Sequence, residues 1–125
     1  MKKILNSKIP RYQKNTFDEL MLLLSKTIDS REKAPIIITL SVIDKSQEEK
    51  NAFLNEMFKE LINPNNDSLI FGNKTTAMIA AMTILDNGSD KDVKNLLKQV
   101  KTYWSQTDIN TFINSMKKEN IHLDV

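Results

Sequence analysis

His122 is the only histidine of the chain and cysteine is absent, so neither a nucleophile–base pair around a helical core nor a common zinc ligand set can be assembled. Gly72 and Gly88 are the only glycines. That excludes phosphate-cradling loops and dinucleotide fingerprints, which need several glycines to let backbone approach phosphate. Carboxylates are what remains. Glu49, Glu56 and Glu60 recur on one side of a helical stretch, a placement that can hold a metal or move a proton. Lys50 and Lys59 beside them favour a solvated face instead. The residue types therefore predict a protein that is not an enzyme and that carries no metal or cofactor.

Surface charge is the stronger signal. Lys91, Lys94, Lys98 and Lys101 follow one another at intervals of three, four and three, which draws a basic stripe along a single helix. A solvated helix face would look the same. The recognition reading rests on Tyr103 and Trp104 at the end of the stripe, since aromatic side chains concentrate binding energy at interfaces. Trp104 continues the apolar face, so Tyr103 is the expected exposed anchor. Phe71 is a second candidate contact: with Leu69 and Ile70 it follows the turn-forming run Asn63-Pro64-Asn65-Asn66-Asp67. The three either tuck over the core or stand out as a plug.

These residues must be positioned by a single domain, because 125 residues make one core large enough to fold without staples and two that are too small. A formal net charge of +2 is modest for a dedicated nucleic-acid binder. No apolar stretch reaches spanning length, and Ile4-Leu5 falls far short of a signal-peptide core, so a cytoplasmic protein without membrane contact is expected. Richness in Lys, Asn and Ile matches the proteomes of AT-rich bacteria and their phages. Residues 1–14 carry Lys2, Lys3, Lys8, Arg11 and Lys14 with no acid among them and read as a flexible basic arm. Residues 15–125 form the helical domain.

Six helices are expected there. Thr16 and Glu19 have capping-box spacing, and Phe17, Leu20, Met21, Leu24 and Ile28 share a face, which predicts a helix to about Asp29. Leu22 and Leu23 widen that face and call for neighbours on two sides. Ser46 with Glu49 opens a helix lined by Phe53, Leu54, Met57, Phe58 and Leu61. Ser89 opens another, lined by Val93, Leu96, Leu97, Val100 and Trp104. Ile109, Phe112, Ile113 and Met116 mark a short last helix after Thr107-Asp108.

Residues 36–43 are β-branched and would be a strand on propensity alone. The gapless alignment of 36–44 with 78–86, apolar on apolar at nearly every position, argues for a helix, because Ala80 and Ala81 make the second copy helical. With one inserted residue Ser46 then falls on Ser89 and Leu61 on Trp104, a period of 42 to 43 residues. The expected fold is thus an all-α bundle of about six helices, with two repeated hairpins (36–62 and 78–104) flanked by capping helices. Pro35 suits the first turn of the inner helix, and Asn87-Gly88 a left-handed cap.

The expected function is that of a non-enzymatic protein-protein interaction module: a small inhibitor, immunity protein or adaptor acting on a partner protein such as an enzyme. A nucleic-acid-binding regulator using the basic arm and lysine stripe is the alternative, and a homodimer is compatible with either.

Overall fold

A computed structural model describes residues 4–5, 9–62, 69–70 and 74–124 of the chain. Six helices form an all-α bundle: α1 (Phe17–Lys26), α2 (Ser30–Val42), α3 (Gln47–Leu61), α4 (Thr76–Asn87), α5 (Asp90–Tyr103) and α6 (Gln106–Lys118). A two-residue antiparallel ladder, Leu69–Ile70 (β1) with Lys74–Thr75 (β2), leads into α4.

Local chemistry sets most helix starts. The side chains of Thr16, Ser46 and Ser89 each accept the N–H of the residue three positions on, and Glu19, Glu49 and Asp92 return the bond to the cap's own N–H. Each box satisfies two donors that the first helical turn leaves without a partner. α6 begins at Gln106, earlier than its apolar spacing predicts, because Ser105 accepts the Asp108 N–H at 3.1 Å. Its far end closes on Asn120 at φ 62°, with Ile121 N–H donating to Met116 O and Asn120 N–H to Lys117 O, the paired bonds of a Schellman cap.

α1 stops at Lys26, not at Asp29, because Asp29 caps the next helix by accepting the Arg31 N–H at 2.9 Å. Leu20 and Leu24 are buried, whereas Leu22 is 55% and Leu23 37% exposed. Among the described residues α2 is the element that packs most closely on α1. α2 is helical through the β-branched run, yet it starts five residues before Pro35, which lies inside the helix rather than in its first turn. Burial overrides propensity here: Ile36, Ile37, Thr39, Leu40 and Ser41 are each at most 1% exposed. Lys45 closes α2. Its ammonium donates to the carbonyls of Leu40, Ser41 and Ile43 and lies 5.3 Å from the centroid of the Phe53 ring. A cation at the negative end of a helix is favourable on both counts.

α4 is the axis of the bundle. Nine of its twelve residues are buried, and α3, α2 and α5 all pack on it. α2 and α3 approach α4 much more closely than they approach each other, whereas α5 packs directly on α4. The two hairpins therefore share a capping pattern but not a packing arrangement. The turn between α4 and α5 is not left-handed: Gly88 has φ −85°. Glycine is needed for space, since a Cβ there would stand 2.7 Å from Ile84 O and 2.8 Å from the Asp92 Cβ.

The segment read as an arm touches the bundle. Ile4 and Leu5 donate their backbone N–H groups to the two oxygens of Asp86, each at 2.8 Å. A short 3₁₀ turn at Pro10–Tyr12 buries Tyr12, with the Arg11 guanidinium 5.3 Å from its ring centroid.

Candidate interaction surface

α5 turns its buried side, Leu96 and Val100, toward the core and its lysines outward. Lys91, Lys94, Lys98 and Lys101 are all exposed, and none forms an ion pair among the described residues. They rise about 15 Å along the helix, each about one turn from the next. Like charges at these spacings repel by about 0.2–0.5 kcal/mol per pair, a cost offset in part by Asp90 one turn before Lys94 and by the helix C-terminus at Lys101.

Tyr103 is exposed but does not join this face. Nine residues separate it from Lys94, about two and a half turns, so it projects from the opposite side of α5. There it adjoins Trp104, whose indole N–H donates to Leu61 O at 2.9 Å and whose ring meets Phe112 edge-on at 5.4 Å between centroids. The spacing rule that finds the lysine stripe could also have separated Tyr103 from it. Phe71 lies outside the described residues.

Three of the four carboxylates of α3 are engaged elsewhere, and Glu48 is exposed. Glu49 is committed to the capping box, Glu56 pairs with Lys59 at 3.1 Å, and Glu60 is buried against Lys33 at 3.1 Å. His122 is exposed near the end of the chain. Among the described residues no group of three or more acidic or histidine side chains is placed to hold a metal, and no helix is long and apolar enough to cross a membrane.

A second feature escaped sequence reasoning. Between the first turns of α3 and the α4–α5 turn lies an open groove of about 440 Å³, lined by Gln47, Lys50, Asn51 and Leu54 on one side and by Asn87, Ser89 and Asp92 on the other. Its walls come from helices far apart in sequence. The only local signal was a pair of capped helix starts, which any bundle contains.

The fold defines the class, an all-α bundle of six helices built around α4. The chain matches no family model, no curated protein and no solved structure.

Proposed function

We propose that this chain is a non-enzymatic interaction module that docks an acidic surface of a partner protein on the lysine face of α5, in the manner of a small inhibitor, immunity protein or adaptor. The observation that carries this reading is the charge along α5: four lysines stand exposed on one side without an ion pair among the described residues, whereas three of the four carboxylates of α3 are engaged within the fold. A partner's carboxylates relieve the like-charge repulsion along the stripe, and electrostatic complementarity of this kind speeds encounter and sets orientation. A protein partner is favoured over nucleic acid because Asp90 and Asp92 begin the same helix, α6 carries no arginine for base reading, and the net charge is only +2.

The test is a pull-down from native lysate with the wild type and with K94E/K98E/K101E, each eluate being analysed for protein and for nucleic acid. One stoichiometric protein, retained by the wild type and lost from the variant, is the expected result. Recovery of nuclease-sensitive nucleic acid alone, or equal retention by both proteins, overturns the reading.

A further inference from the structure

Asn87 ends α4 with 8% of its surface exposed. Its NH₂ group donates to Thr83 O at 2.9 Å and to Ser41 Oγ at 3.0 Å. A backbone carbonyl can only accept, so the Thr83 bond settles which end of the carboxamide is nitrogen. The oxygen is left without a donor among the described residues. No fully buried side-chain polar atom in the described structure lacks a partner, so this oxygen keeps some exposure, and Asn87 is among the residues that line the groove.

The other groups around the groove are polarised. Beside Asn87, the Asp92 carboxylate uses one oxygen to accept from Ser89 N–H and Oγ–H, at 2.9 and 3.0 Å. Its other oxygen has no donor among the described residues. Across the groove stands Lys50, half-buried, with no ion pair or side-chain hydrogen bond among the described residues. Acceptors with one negative charge thus face a single cation.

We propose that this groove binds a free α-amino acid, its ammonium held by the Asn87 oxygen and the Asp92 carboxylate and its carboxylate held by Lys50. A purely anionic ligand would meet Asp92, and a purely cationic one would meet Lys50; a zwitterion satisfies both walls. A volume of about 440 Å³ leaves room for a molecule of this size. The site shares α5 with the lysine face but none of its residues, so it stands independently of the docking reading.

The test is an amide-resolved NMR titration of the full chain with L-leucine, N-acetyl-L-leucine and L-leucinamide, up to about 10 mM, which is enough to reveal a millimolar Kd. Saturable shifts at Gly88, Ser89 and the Asn87 side-chain amide are expected with L-leucine. Each blocked form, and L-leucine against Lys50→Met, should bind about tenfold more weakly or worse. Lys50 is half-buried and has no ion pair among the described residues, so the rest of the variant's spectrum is expected to stay in place. Absence of saturable shifts with L-leucine, equal binding of either blocked form, or unchanged binding by Lys50→Met overturns the proposal.

Discussion

Lys33 and Glu60, 27 residues apart, form an ion pair in which the ammonium donates to both carboxylate oxygens, at 3.1 and 3.2 Å. Their side chains are 9% and 10% exposed, and the pair ties the first turns of α2 to the last turn of α3. These two helices otherwise meet mainly through α4. Removing one member takes this partner from a buried charge, which costs up to about 3–5 kcal/mol, whereas apolar replacement of both can be neutral. Lys33→Met and Glu60→Met should therefore each lower the urea midpoint sharply. The double variant should recover most of the loss.

Gly88 makes a separate prediction about the α4–α5 turn. A methyl group at this position meets backbone and the Asp92 Cβ at distances that require the turn to shift. Gly88→Ala should destabilise by about 1–3 kcal/mol, the range for forced overpacking. Because φ is negative here, a D-alanine introduced by synthesis should offer no rescue, in contrast to a left-handed glycine. Thermal denaturation of the two proteins distinguishes the explanations.

Asp86 holds two successive backbone amides, so Asp86→Ala should release Ile4 and Leu5 from the end of α4. A hydrogen bond to a charged group contributes about 1.5–3 kcal/mol. Amide exchange at Ile4 and Leu5 should accelerate, while α3 and α4 keep their protection. Uniform acceleration across the bundle would show instead that Asp86 supports the core as a whole.

Much of the helical framework is legible in the residues because its determinants are local. The boxes Thr16–Glu19, Ser46–Glu49 and Ser89–Asp92 act over three residues, and the apolar faces of α3, α5 and α6 recur within a turn. The helicity of residues 36–42 needed the internal comparison, since β-branched propensity points the other way. The lysine stripe is equally legible, being a matter of spacing on one helix.

What the tertiary structure decided is which faces meet. Periodicity names an apolar face without saying how many neighbours cover it, so Leu22 and Leu23 were expected to be packed and stand exposed. Glu49, Glu56 and Glu60 look alike in sequence, yet one caps, one pairs on the surface and one is buried against Lys33, because only the last meets α2. The groove, with its unmatched Asn87 oxygen, exists only once α4 and α5 turn beside the start of α3. Caps and helix faces follow from bonds between neighbours in the chain. Burial, pairing and concavity follow from α4 lying between helices that sequence separation alone does not bring together.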